Sequence, residues 1–215
     1  MIYLADVSNF KEDFFEKAVL LLPDEKRSHI LGITNEKAKK ESTLAWILLW
    51  FALAQNGISH FPNLKFSERE KPSFEKSDIF FNLSHSEKKV CAAFSFEADI
   101  GVDIQVVSNF SDKMKKRVFC ENELAVAESF EDSNRYFTKL WAIKESFLKN
   151  TGIGIAFDLK SLDFSKNIKN VFFGTDDLFY SVFSLETYEL SVCSSEKEKQ
   201  QLINVSGSEL VEFVK

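Results

Sequence analysis

Apolar positions along the chain fall into two kinds of repeat, a two-residue alternation and a helical three-to-four spacing, and their order outlines the fold. Ile2–Val7 alternates as a short strand, and Ser8 caps a helix over about Phe10–Leu22. Pro23 opens a second helical segment, DEKRSHILG, closed by Gly32. A long helix starts at Thr34 or Asn35 and runs to about Asn56, where Gly57 stops it; its second half is almost wholly apolar and is predicted to be buried. Leu64–Ser67 is a candidate strand, followed by a polar turn over Glu68–Pro72. Three strands are then predicted in succession, Ile79–Leu83, Val90–Phe96 and Ile100–Val106, the first two joined through Ser84–Lys88. Helices follow over Ser111–Phe119, Asn122–Phe130 and, capped near Ser133, through Phe137–Gly154. Beyond Gly154 the alternation predicts strands at about Leu159–Phe164, Val171–Gly174, Tyr180–Glu186 and Glu189–Cys193, while Ser208–Val214 suits a strand or a short helix.

One comparison within the chain organises this list. STLAWILLWFALAQNGI (42–58) set on FTKLWAIKESFLKNTGI (137–153), an offset of 95, matches five of seventeen positions, Trp46 with Trp141 and Gly57 with Gly152 among them. At a similar offset, of 97, MIYLADV falls on ADIGVDI, placing Asp6 opposite Asp103. The expected fold is therefore α/β (α+β), with two pseudo-symmetric α/β halves, 1–98 and 99–215. Each half is a small, mainly antiparallel sheet packed around one long helix, with the site at their interface. Leu49 and Trp50 stand in the first half where Lys144 and Glu145 stand in the second, so only the second half keeps the polar groups.

Composition narrows the function. With 45% hydrophobic and 28% charged residues the chain is an ordinary globular one, and 7 Gly and 3 Pro favour regular structure. A net charge of −6 argues against broad nucleic-acid binding but leaves room for a basic patch. The opening MIYLADVSNF lacks a signal peptide's apolar core, and the run Leu44–Ala54 is too short to span a bilayer. Cys91, Cys120 and Cys193, odd in number and widely spaced, read as reduced thiols of a cytoplasmic protein.

Chemistry concentrates in two stretches. On the helix through Phe137–Gly154, Trp141, Glu145, Leu148 and Gly152 share a face, flanked by Lys144 and Lys149. In IGVDIQ, Asp103 and Gln105 leave the strand on one side. Taken alone, the first is equally a surface helix with a Glu145/Lys149 pair. Together they supply hard oxygen ligands for a divalent cation shared with a phosphate.

Four motifs stand in order: Glu70-Lys71-Pro72, Phe81-Asn82-Leu83-Ser84-His85-Ser86, Gly101-Val102-Asp103-Ile104-Gln105, and Trp141-Ala142-Ile143-Lys144-Glu145-Ser146 continuing to Lys149. In this arrangement the chain resembles the 4′-phosphopantetheinyl transferases, specifically the larger two-half, surfactin-synthetase-activating type. The resemblance implies transfer of the phosphopantetheine arm of coenzyme A to a serine of an apo acyl or peptidyl carrier protein. It implies Mg²⁺, with Mn²⁺ as a substitute, and adenosine 3′,5′-bisphosphate as the product. By the same resemblance Asp103, Glu145 and Gln105 hold the metal, Glu145 accepts the serine proton, Lys149 meets the diphosphate and Lys144 supports the charge balance. Ser84 and His85 would meet coenzyme phosphates, with His85 and Lys26 at the 3′-phosphate, and Lys71 and Pro72 would border the adenine.

Two departures stand out. Gln105 replaces an acid common in the family, and Glu41-Ser42 occupies the place of a 3′-phosphate arginine, for which Lys37, Lys39 or Lys40 would have to compensate. These departures suit an alternative, a non-catalytic coenzyme A or carrier-protein binding module with a weakened metal site. Carrier proteins are acidic around their serine, so the basic helix with Lys113, Met114, Lys116, Arg117 and Phe119 is the expected docking surface, on a chain expected to act as a monomer.

Overall fold

The computed structural model describes residues 1–66, 72–154 and 156–215. The chain is mixed α/β and divides into two compact units, Met1–Glu97 with Gln200–Lys215, and Ala98–Lys199.

The first unit opens with β1 (Ile2–Asp6), α1 (Glu12–Leu20), α2 (Asp24–Leu31) and the long α3 (Glu36–Gln55). Asn35 starts α3 by accepting a hydrogen bond from the Ala38 amide at 3.0 Å, which satisfies one of the donors a helix start leaves unpaired. The apolar half of α3, with Leu44, Ile47, Leu48 and Leu49 all buried, packs on β1 and on the hairpin of β4 and β5. Before that hairpin comes a small ladder, β2 (Leu64–Phe66) with β3 (Pro72–Phe74); the hairpin itself is β4 (Phe80–Ser86) and β5 (Lys89–Ser95). The turn expected over Glu68–Pro72 lies, but for Pro72, outside the described residues.

The second unit consists of β6 (Ile100–Val106), α4 (Asp112–Val118), α5 (Glu121–Ala127), α6 (Ser133–Thr151), β7 (Phe172–Thr175), β8 (Leu178–Ser184) and β9 (Tyr188–Ser194). Its sheet is antiparallel in the order β6-β9-β8-β7, and α6 packs on β6 and β9. Asp132 caps the start of α6 through the Arg135 amide at 2.9 Å, and Gly152, at φ 66°, ends it in the left-handed conformation glycine adopts without strain.

The expected extent 99–215 for the second half is corrected at its end. β10 (Leu202–Asn204) adds to β1 in parallel, giving a first sheet ordered β10-β1-β5-β4, and α7 (Gly207–Val214) buries Leu210 and Val214 in the first core. Ser208–Val214 is thus helical, started by a reciprocal cap between Ser206 and Glu209. The strand expected over Leu159–Phe164 is instead a short 3₁₀ turn at Leu159–Ser161. Asp158 caps that turn through the Lys160 amide, and the Leu159 and Leu162 carbonyls turn inward to a lysine ammonium.

What positions the chemistry is the contact of β6 with α6. A Cβ at Gly101 would lie 2.2 Å from the Ser146 carbonyl oxygen and 2.3 Å from the Asn150 amide nitrogen, so strand and helix approach as closely as they do only because the side chain is absent. Asp103, two residues on, shares that face of the strand and meets the same helix. Gly101→Ala is therefore expected to force the two elements apart and to cost about 1–3 kcal/mol or more. Denaturant unfolding checks this; an unchanged midpoint would show that the approach is adjustable.

Candidate active site

Asp103 is almost fully buried, at 2% exposure, and a carboxylate there needs partners. Lys149 supplies one, its ammonium 2.7 Å from Asp103 Oδ1, while also donating to the Val102 carbonyl at 3.1 Å. Gln105 supplies another, its Nε2 donating to Asp103 Oδ2 at 2.9 Å, and its amide oxygen Oε1 is the atom that could coordinate a cation. Glu145, one helical turn before Lys149, is half-buried. Burial pushes its pKa above the ordinary 4.5, the Asp103 charge adds to the shift, and Lys149 partly offsets it.

A carboxylate whose ionisation is made costlier by a second one beside it, with an amide oxygen alongside, fits a hard divalent cation. The charge such an ion brings would relieve the strain on Glu145, and all three donors are oxygens. Cys120, Glu123 and Asp163 also lie close enough together to suggest a metal. Glu123 is already committed, however: its carboxylate accepts from the Cys120 amide, the Phe164 amide and a lysine, so this cluster is an interior strut.

Beside Glu145 opens a cavity of about 620 Å³, lined among others by Met114 and Arg117 of α4, Trp141 and Leu148 of α6, and Phe157. Lys113 also lines it, and Lys113, Met114, Lys116 and Arg117 are exposed. Phe119, expected on the docking surface, is fully buried in the second core between Phe110 and Phe137. Residues 156–159 also line the cavity and were not foreseen; the strand expected from Leu159 reaches only the last of them.

Lys144 requires a larger correction. Successive residues on a helix diverge by about 100°, so Lys144 and Glu145 face different surroundings. Lys144 has no exposed surface; its ammonium pairs with Glu123 at 2.6 Å and donates to the carbonyls of Val118, Leu159 and Leu162 at 2.9–3.0 Å. With its hydrogens so used it joins α6 to α5 and the 159–164 segment, and it does not enter the charge balance around Glu145.

In the first unit, Lys26 is buried with its ammonium 4.6 Å from the Trp46 ring centre, and burial pulls its pKa below 10.5. Lys26 therefore turns into the interior, not to the solvent-facing side of its helix. Ser84 is buried and Pro72 half-buried, while Lys71 lies outside the described residues. His85 is exposed, and its Nδ1 lies 3.2 Å from Oε2 of the buried Glu41, a pairing the sequence did not reveal.

The profile of the 4′-phosphopantetheinyl transferase superfamily matches residues 99–204, from just before β6 to the end of β10. The chain is 32% identical over 149 residues to the 4′-phosphopantetheinyl transferase gsp of Aneurinibacillus migulanus, covering 66% of this chain and 61% of that protein. It is 28% identical over 151 residues to the transferase Sfp of Bacillus subtilis (68% and 67% coverage) and 29% identical over 153 residues to the transferase AcpT of Salmonella typhimurium (67% and 75%). The match to the first of these thus spans less than two thirds of that relative's length.

Removing the charge of Lys144 leaves the buried Glu123 carboxylate without its cation. Lys144→Met is therefore expected to lower stability by about 3–5 kcal/mol, with any loss of activity following the unfolded fraction. Full stability by denaturant titration together with lost activity would return Lys144 to the chemistry.

Proposed function

We propose that this protein transfers the 4′-phosphopantetheine arm of coenzyme A to a serine hydroxyl of an apo acyl or peptidyl carrier protein, releasing adenosine 3′,5′-bisphosphate. The observation that carries the reading is the pairing of Asp103 with Lys149 under Glu145, at the edge of a cavity bordered by the exposed basic helix α4. Asp103, Glu145 and Gln105 Oε1 would hold Mg²⁺, or Mn²⁺ in its place, and the ion would supply neutralisation of the diphosphate charge. Gln105 brings one charge fewer than an acid there, so the site binds its metal more weakly than a three-carboxylate one.

Glu145 is the proton acceptor. Burial raises its pKa, which makes it a stronger base than an ordinary carboxylate, and it faces the cavity through which a serine would arrive. Lys149 is the group that meets the diphosphate. It is partly exposed, so it can exchange an Asp103 oxygen for a phosphate oxygen once a cation takes over that carboxylate. Ser84 and His85 would contact the coenzyme phosphates, with Lys26, Lys71 and Pro72 assigned to the nucleotide by the resemblance. A monomer acting in the cytoplasm completes the reading; among the described residues no helix is long and apolar enough to cross a membrane.

Incubation with coenzyme A, Mg²⁺ and an apo carrier protein, followed by weighing the carrier, tests the proposal. The carrier should gain the mass of the arm, and Glu145→Gln should lower kcat by about 10²-fold or more with the fold retained. A carrier left unmodified by a protein that binds coenzyme A would make this a binding module instead.

The exposed cations of α4 give a second expectation. Charge reversal at Lys116 and Arg117 should raise KM for the carrier about tenfold while leaving KM for coenzyme A in place. Equal effects on both would move docking elsewhere.

A further inference from the structure

The Glu41 carboxylate is the one buried side-chain group among the described residues with an oxygen that accepts no hydrogen bond. The residue is 5% exposed; Oε2 faces His85 Nδ1 at 3.2 Å, and Oε1 has only the Lys37 ammonium near it, at 3.8 Å. Glu41 also lines a cavity of about 310 Å³, bordered by Lys37, Lys40, Lys88 and Glu87. Two of those lysines already have carboxylate partners, Lys37 with Glu87 at 2.8 Å and Lys40 with Glu12 at 2.5 Å. With Lys88 counted, three lysines stand against Glu12, Glu41 and Glu87, so among the described residues the charges around the cavity are close to balance. A buried acceptor left without a donor is costly, and a hydroxyl donor, from water or from a ligand, would satisfy it. A phosphate dianion brings acceptors and negative charge to a place that offers an acceptor and negative charge already.

Resting on the transfer reading above, in which His85 attends the 3′ position of the coenzyme's ribose, we infer that Glu41 is a specificity residue that selects a 3′-hydroxyl over a 3′-phosphate. This protein then uses 3′-dephospho-coenzyme A at least as well as coenzyme A. The bond changes are the same with either donor. The carrier serine oxygen forms a bond to the phosphorus bearing the pantetheine arm, the bond from that phosphorus to the bridging oxygen breaks, and the serine proton passes to Glu145. With the dephospho donor the leaving group is adenosine 5′-monophosphate, carrying away the electron pair of the broken bond.

The experiment measures kcat/KM for both donors with one apo carrier protein, following carrier mass and the released nucleotide. The unmodified protein should give a value for the dephospho donor equal to or above that for coenzyme A. Glu41→Gln should shift the ratio toward coenzyme A by about tenfold, because the amide removes the charge and adds a donor. The comparison in the unmodified protein needs no variant, so a Glu41→Gln protein that fails to fold leaves the test intact. Preference of the unmodified protein for coenzyme A by about tenfold or more overturns the inference while the transfer reading stands. A folded Glu41→Gln protein with an unchanged ratio also overturns it. Transfer from neither donor overturns the transfer reading, and this inference falls with it.

Discussion

The contact between β6 and α6 is the constraint on which the second unit depends. Gly101 lets the strand press against the backbone of the helix between Ser146 and Asn150, and the contact is secured by polar bonds rather than by apolar packing alone. Asn150 donates to the Asp99 and Cys193 carbonyls at 2.8 and 3.2 Å, and the hydroxyls of Ser146 and Ser191 meet at 3.0 Å. Directional bonds of this kind fix both the rotation and the height of the helix over the sheet. Asp103 comes to rest under Lys149 as a result, and Glu145 close enough to Asp103 to feel its charge.

The same helix carries two lysine–carboxylate pairs of opposite character. Lys144 and Glu123 are both wholly buried, and every bond they make is to the protein, so opening that pair would strand a charge in the interior. Lys149 is 28% exposed while its partner Asp103 is 2% exposed. Lys149 is therefore within reach of water, as Lys144 is not. Exposure, more than residue type or distance, separates a lysine that holds the fold from one that can act.

This distinction also explains what could be read from the sequence. The two long helices, their starts at Asn35 and near Ser133, and the strand bearing Asp103 are written in local patterns of apolar spacing and capping. Asp103, Glu145 and Lys149 were legible together because a strand's two-residue repeat and a helical turn put each on a definite face. Lys144 was misread because its carboxylate, Glu123, comes from a different helix 21 residues earlier, which no local spacing announces. Phe119 was misread for a related reason: it sits just past the end of a charged helix, where the chain turns into the core. The pairing of Glu41 with His85 joins α3 to β4, residues that only the packing of that helix on its sheet brings together. The return of residues 200–215 to the first sheet was likewise invisible, since three residues of strand leave too short an alternation.

The internal repeat sharpens the point. In α3, Leu49 and Trp50 hold the positions that Lys144 and Glu145 hold in α6. Leu49 is as fully buried as Lys144, so the two positions share a depth and differ in what meets them: apolar side chains in one unit, a carboxylate and three carbonyls in the other. Trp50 packs edge-on against Phe61 and Phe213, closing over the place where Glu145 instead faces a cavity. Asp6, the counterpart of Asp103, pairs with Lys89 on the neighbouring strand and receives the Ser8 amide, which ties it into its own strand end. Matching backbones thus carry unlike work: where a long helix meets apolar neighbours it only packs, and where a glycine brings it down onto an aspartate it carries a carboxylate and an ammonium beside a cavity.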